Sequence, residues 1–146
     1  RLRGSTGGVK AYEVRRSMQS TMTKNVSVFR TDETISEAIK DLQELREAYE
    51  NVQIQDEGKQ FNTDLLEAWE LGCLLELAEV TAVSALARQE SRGAHARDDF
   101  PERDDEHWLK HTLCVREVGD YKLDYKPVVL KDEELDMEYI CKPRVY

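Results

Sequence analysis

The stretch that most constrains this chain runs from Asn62 to Gln89. Leu65, Leu66, Trp69, Leu71, Leu74, Leu75, Leu77, Val80, Val83 and Leu86 recur through it without a proline. At helical spacing they spread around most of the cylinder rather than along one stripe. Asn62 or Thr63 supplies an N-cap, and Asp64 and Glu67 place negative charge in the first turn, where the helix dipole favours it. A helix over this stretch is roughly 40 Å long. A helix apolar nearly all round is buried on more than one side. Two neighbouring helices can cover part of it, and the remainder predicts contact with another domain or subunit.

Two such neighbours precede it. From about Val9 to Val26, Tyr12, Met18, Met22 and Val26 fall near one face. From about Asp32 to Val52, Ile35, Ile39, Leu42, Leu45, Tyr49 and Val52 step by three or four, a single stripe on a surface helix. Thr31 is its N-cap, with Asp32 and Glu33 in the first turn. Glu37, Lys40, Asp41, Glu44, Arg46 and Glu47 mostly take the opposite face and read as solvated. Three antiparallel helices joined by short loops make a bundle. Residues 1–90 are therefore expected to form a spectrin-repeat-like three-helix bundle.

After Gln89 the pattern changes. Ser91 to His111, SRGAHARDDFPERDDEHWLKH, holds three Arg, three His and six acidic residues and is broken by Gly93 and Pro101. It reads as a charged loop. Then Leu113, Val115 and Glu117 alternate with Cys114, Arg116 and Val118, and Tyr121, Leu123 and Tyr125 alternate with Lys122, Asp124 and Lys126. Gly119-Asp120 between these runs predicts a β-hairpin, and Pro127 ends its second strand. Lys131 to Tyr146 lacks periodicity and reads as an extended tail. The fold class is mainly α, with residues 91–146 packed on the bundle as loop, short hairpin and tail.

The chain carries 30 acidic against 21 basic residues, a net charge of −9. A nucleic-acid surface would be basic. No run approaches 18 apolar residues, so no membrane span is expected, and the first ten residues lack the apolar core of a signal peptide. The opening Arg points to a fragment or a processed start. Cys73, Cys114 and Cys141 are odd in number and widely spaced, which fits free thiols in a reducing compartment.

The charged loop offers the candidates for chemistry. His107 and His111 stand four apart, near His95, Asp98, Asp99, Asp104 and Asp105, from which a zinc or iron site can be drawn. There is no HExxH and no paired Cys. Ser91 and Cys114 are candidate nucleophiles by proximity to histidine alone. Gly4 to Lys10, GSTGGVK, matches neither GxGxxG nor GxxxxGK[ST], and no strand precedes it. The competing reading is structural. Arg92 and Arg97 can each fork onto carboxylates or carbonyls, and a long irregular segment must satisfy its backbone somehow. With His95 and Asp99 they are expected to be structural anchors, with no catalytic, cofactor-binding or metal-binding residue in the chain.

The run from Phe61 to Leu113, FNTDLLEAWELGCLLELAEVTAVSALARQESRGAHARDDFPERDDEHWLKHTL, resembles the C-terminal region of the succinate dehydrogenase and fumarate reductase flavoprotein subunit. SRGAHAR, then Asp99-Phe100-Pro101, then DDEHWLKHTL is the family pattern. NVSVFRT at Asn25 to Thr31, Lys126 to Val128, and Arg144-Val145-Tyr146 also match. L-aspartate oxidase shares a looser form of the SRGxHxR run. The resemblance implies a helical bundle with a smaller C-terminal portion, from a parent that carries FAD and oxidises succinate to fumarate. Its expected partners are the FAD-binding domain of the parent chain and an iron–sulfur subunit. The expected location is the inner, cytoplasmic or matrix face of a membrane, reached through the complex without direct insertion. The family's flavin-linked and substrate-binding residues lie upstream, so no cofactor is expected in this chain itself. The same domain from fumarate reductase or L-aspartate oxidase, or a free-standing helical interaction module, is the alternative. Removed from its partners, the fragment is expected to self-associate or to show open apolar surface.

Overall fold

The computed structural model describes residues 8–117, 120–132 and 137–138. It is mainly helical, with three long helices sharing one core. Helix α1, Ala11–Asn25, buries Ala11, Val14 and Met18. Val14, not the expected Tyr12, belongs to the core face; Tyr12 is exposed and its hydroxyl donates to Glu13. The two positions lie about 200° apart on a helix, and Val14 stands with Met18 one turn on.

Helix α2, Asp32–Tyr49, begins at a reciprocal cap. The Thr31 hydroxyl accepts from the Thr34 N–H at 3.2 Å, and the Thr34 hydroxyl accepts from the Thr31 N–H at 3.0 Å. Ile35, Ala38 and Leu42 are fully buried. Val52 is also buried, but beyond the helix end, where it bridges to Val9.

Helix α3, Thr63–Ala87, is capped by Asn62, whose Oδ1 accepts from the Leu65 N–H at 2.7 Å. Asp64 in its first turn turns outward and accepts from the N–H groups of Gln55 and Asp56, tying down the preceding loop. Leu71 and Leu75 are buried with Ala68, Ala78, Ala82 and Ala85. The alanines let the other helices approach closely. Gly72 does the same at one point: a Cβ there would stand 2.6 Å from the Tyr49 hydroxyl, which donates to the Ala68 carbonyl at 2.9 Å. Burying each large side chain of this core contributes about 1.5–3 kcal/mol.

The helix ends two residues before the expected Gln89, because Arg88 adopts an extended conformation with ψ 102°. The segment that follows is more ordered than the loop expected from the sequence. Strand β1, Phe29–Arg30, pairs in parallel with β2, Ala96–Arg97. A single turn, α4, covers Asp105–Trp108. The hairpin then starts at Lys110, so His111 is a strand residue. Strand β3, Lys110–Glu117, runs antiparallel to β4, Asp120–Pro127, with Leu113 opposite Asp124. Glu117 pairs with Asp120, so Asp120 belongs to the second strand rather than to the expected Gly119-Asp120 connection. Alternation of side chains gives the period of a strand but not its partner register. Residues 118 and 119 lie outside the described residues. Two short strands, β5 (Lys131–Asp132) and β6 (Met137–Glu138), pair antiparallel where a plain tail was expected. The remainder of that tail, with Cys141, lies outside the described residues, as does the glycine cluster before Gly8. No described helix is long and apolar enough to cross a membrane.

Candidate functional site

The ionisable groups of the charged segment gather where α2 begins and α3 ends. Arg97 is 1% exposed. Its Nη1 donates to the carbonyls of Ala85 at 3.2 Å, Leu86 at 3.0 Å and Arg88 at 3.5 Å. Ala85 and Leu86 carry two of the last carbonyls of α3 and Arg88 is the residue that caps it, at the end where carbonyls lack intrahelical donors and the dipole favours a cation. The last turn of α3 has no basic residue of its own. Nε and Nη2 of Arg97 fork onto the two oxygens of Asp99, both at 2.7 Å. Asp99 Oδ2 in turn accepts from the Asp32 N–H at 2.8 Å, the first turn of α2. One ion pair thus caps the positive end of α2 and the negative end of α3. The Arg97 fork holds the Asp99 carboxyl well below the usual carboxylate range, against the opposing effect of burial.

A second knot centres on Glu90, which is fully buried. Arg92 forks onto it at 2.9 and 3.0 Å, the Asp104 N–H donates at 3.0 Å, and Arg88 donates to the same carboxylate. Burial pushes this carboxyl up, but these donors outweigh it and keep it ionised below its ordinary range. Arg92 also reaches Asp105 at 2.6 Å. Asp105 is drawn down to about 2 by Arg103 first and Arg92 second. Arg88 continues to the carbonyls of Trp108, at 2.9 Å, and Lys110, and its guanidinium lies 5.2 Å from the Trp108 ring centre.

Of the candidate nucleophiles and metal ligands, Ser91, His95 and His107 are engaged in the same way. Ser91 Oγ accepts from the Arg97 N–H at 2.8 Å and lies 2.9 Å from the Phe100 carbonyl, bracing the loop across its width. Arg92 and His95 exchange backbone hydrogen bonds around a two-residue turn, in which Gly93 takes φ +60°, a conformation that favours glycine. His95 Nε2 is 3.0 Å from the Arg88 carbonyl, so Nε2 carries the proton and Nδ1 is left as an acceptor. Burial above all, joined by the charges of Arg30, Arg97 and Arg88, pushes this imidazole below its ordinary pKa despite that hydrogen bond. His107 Nδ1 pairs with Asp104 at 2.9 Å in α4, while His111 lies in β3, so the two do not share a helical turn. Among the described residues no group of three His, Cys, Asp or Glu side chains is placed to hold a metal. Cys73 and Cys114 are free thiols.

Arg88, Glu90 and Glu79 were not singled out in the sequence reading. Glu90 sits two residues from both Arg88 and Arg92, and that spacing was the available signal. Glu79, 2% exposed on α3, accepts from Arg46 of α2 at 2.7 Å and contacts the Tyr121 hydroxyl of β4. Burial, with Glu79 alongside, pushes Tyr121 up to about 12, so it remains a donor. Nothing local in the sequence joins residues so far apart. An FAD pyrophosphate needs a glycine-rich strand-to-helix turn. Every sheet among the described residues is a two-stranded pair, and no such turn occurs in them.

Residues 15–146 match the family model described as fumarate reductase flavoprotein C-term. The chain belongs to that family. Within it, the succinate dehydrogenase flavoprotein subunit of Rickettsia bellii is 47% identical over 131 residues, 89% of this chain and 22% of the relative. The mitochondrial succinate dehydrogenase flavoprotein subunit of Oryza sativa is 43% identical over 147 residues, 100% of this chain and 23% of the relative. A solved quinol fumarate reductase chain from Escherichia coli superposes with a TM-score of 0.83 at 42% identity, over 87% of this chain and 22% of its own. The chain thus spans about a fifth of the length of the curated relatives it matches. The fold extends further: an adenylylsulfate reductase from Archaeoglobus fulgidus matches at TM-score 0.77 with 21% identity, over 85% of this chain and 20% of its own.

Proposed function

We propose that this chain is the C-terminal helical region of a succinate dehydrogenase flavoprotein and performs no catalysis of its own. In this reading the preceding part of the parent carries FAD and the succinate site, and an iron–sulfur subunit receives the electrons near a membrane. Residues 1–90 act as a spectrin-repeat-like bundle, and residues 91–146 are fastened to it. Arg92, His95, Arg97 and Asp99 are the fasteners. The observation that carries the reading is the saturation of the buried charges: Arg97 and Glu90 are enclosed by helix ends, loop backbone and each other's neighbours.

The outer side of α3 supports the docking role. Leu66, Trp69, Cys73 and Leu77 recur at three- and four-residue steps opposite the core positions Ala68, Leu71, Leu75 and Ala82. Leu66, Trp69 and Leu77 are 51%, 60% and 62% exposed. An apolar row of this kind usually marks a contact surface. The FAD-binding part, the iron–sulfur subunit or both cover it in the parent, and the isolated chain self-associates through it or leaves it open.

The test is a flavin titration and a succinate-dependent dye-reduction assay on this chain and on the full flavoprotein. The full protein is expected to be active and this chain inert. Tight FAD binding or dye reduction by this chain alone refutes the proposal. A full protein that reduces fumarate with a viologen donor far faster than it oxidises succinate favours the fumarate reductase alternative.

A further inference from the structure

We propose that the cleft between the end of α3, the loop after it and the start of β3 seats a carboxylate-bearing segment of the parent polypeptide that precedes this chain. This rests on the reading that the chain is the C-terminal part of a longer flavoprotein. The cleft has a volume of about 570 Å³, and its titratable lining is Arg88, Arg92, His95, Lys110 and His111. Among the described residues no Asp or Glu lines it, although the chain has 30 of them. Two smaller clefts, of about 330 and 230 Å³, are each lined by carboxylates, among them Glu50 and Glu76 in one and Glu47 and Glu79 in the other. A cationic hollow on a strongly acidic molecule selects an anionic occupant by charge complementarity.

Lys110 is the focus of that charge. Arg88 and Arg92 share Glu90. Lys110 makes no ion pair among the described residues. Its ammonium lies 4.1 Å from the Tyr125 ring centre and 4.7 Å from that of Trp108, and these two rings meet edge to face at 5.8 Å. The rings hold the ammonium in place by cation–π attraction but accept none of its ordinary hydrogen bonds. Three donors on a fixed charge are thus left for an acceptor from outside. His95, with Nε2 engaged by the Arg88 carbonyl, offers Nδ1 as an acceptor for a backbone N–H. Ala85, Leu109 and Val128 supply apolar wall between these polar points. Such a lining suits a peptide segment with one acidic side chain. The parent supplies it: the family model is a C-terminal one, and about four-fifths of the relatives' length lies outside this match. A segment on the same polypeptide binds at high effective concentration, so a modest set of contacts is enough.

The experiment uses the full flavoprotein. Lysines are labelled with an amine-reactive acetylating reagent, with Lys40 on the open face of α2 as the reference, and a second sample is treated with a zero-length carbodiimide. Peptide mapping reads both. The expected result is loss of labelling at Lys110 while Lys40 is fully labelled, together with an amide cross-link from Lys110 to an Asp or Glu of the preceding part. A Lys110→Gln variant must lose that cross-link. Labelling of Lys110 at the rate of Lys40, or protection without the cross-link, overturns the proposal. A cross-link to the iron–sulfur subunit, or protection that requires added succinate, overturns it in favour of a partner subunit or a small dicarboxylate. If the full protein loads flavin and oxidises succinate yet Lys110 stays open, only the cleft assignment fails. If it does neither, the flavoprotein reading fails whatever the labelling shows.

Discussion

Replacing Arg97 by Ala removes the side chain on which two helix ends converge. Its fork to Asp99 is lost, as are the donors to the carbonyls of Ala85 and Leu86 in α3 and of Arg88 just beyond it. Breaking a buried ion pair from one side costs about 3–5 kcal/mol. Asp99 keeps the Asp32 N–H, and 27% of its side-chain surface meets water, so the lower end of that range applies. Carbonyls left without donors add roughly 1 kcal/mol. The sum is about 4 kcal/mol, which for a chain of this length lowers Tm by roughly 10 °C. Thermal unfolding followed by circular dichroism reads it, with Lys40→Ala, an exposed control, expected to cost under about 0.5 kcal/mol. The acid limb is a second readout. Asp99 is depressed in the fold, so it stabilises above the unfolded carboxylate pKa of about 4, and that contribution is lost as pH falls through the folded value. Without Arg97 this part of the acid limb flattens. An Arg97→Ala protein that melts within about 1 °C of wild type, with an unchanged acid limb, refutes the capping argument.

Three further outcomes follow from the same structure. His95 is depressed in the fold while the unfolded imidazole titrates near 6.5, so acidification from about pH 7 to 5 protonates the unfolded state first and lowers stability; His95→Gln, whose amide can still donate to the Arg88 carbonyl, should flatten that slope in denaturation titrations. Tyr121→Phe leaves Glu79 buried with Arg46 as its remaining partner and should cost about 1–2 kcal/mol in urea unfolding. Gly72→Ala gains helix propensity but collides with Tyr49, and a net loss of about 1–3 kcal/mol is expected, partly restored in a Gly72→Ala/Tyr49→Leu double variant.

What could be read from the sequence was whatever repeats locally. The caps at Thr31 and Asn62 and the stripe from Ile35 to Leu45 are nearest-neighbour patterns, and α2 and α3 begin where those patterns place them. The alanines of the core, Ala38, Ala68 and Ala82, were not singled out, because a pattern of large apolar residues is blind to close approach. The parallel pairing of Phe29–Arg30 with Ala96–Arg97 joins two-residue strands, too short for any period to appear. Asp120 was read as part of the connection although it pairs with Glu117, because alternation does not reveal partner register. Within the charged segment, Arg92, His95, Arg97 and Asp99 stood out by residue type. Their targets did not, since the carbonyls of Ala85 and Leu86 and the N–H of Asp32 are backbone groups that any sequence possesses. Glu79 and Tyr121 meet across 42 residues and only the fold brings them together.

The central claim is that the charged segment holds the structure and does no chemistry. The most direct measurement is the rate of succinate oxidation per bound flavin in the full flavoprotein carrying Arg97→Ala or His95→Gln, taken well below the variant's Tm alongside its melting curve. A structural role predicts kcat per flavin within about twofold of wild type, with a lowered Tm for Arg97→Ala. A fall of about a hundredfold or more in kcat per flavin, with an unchanged melting curve, would contradict it.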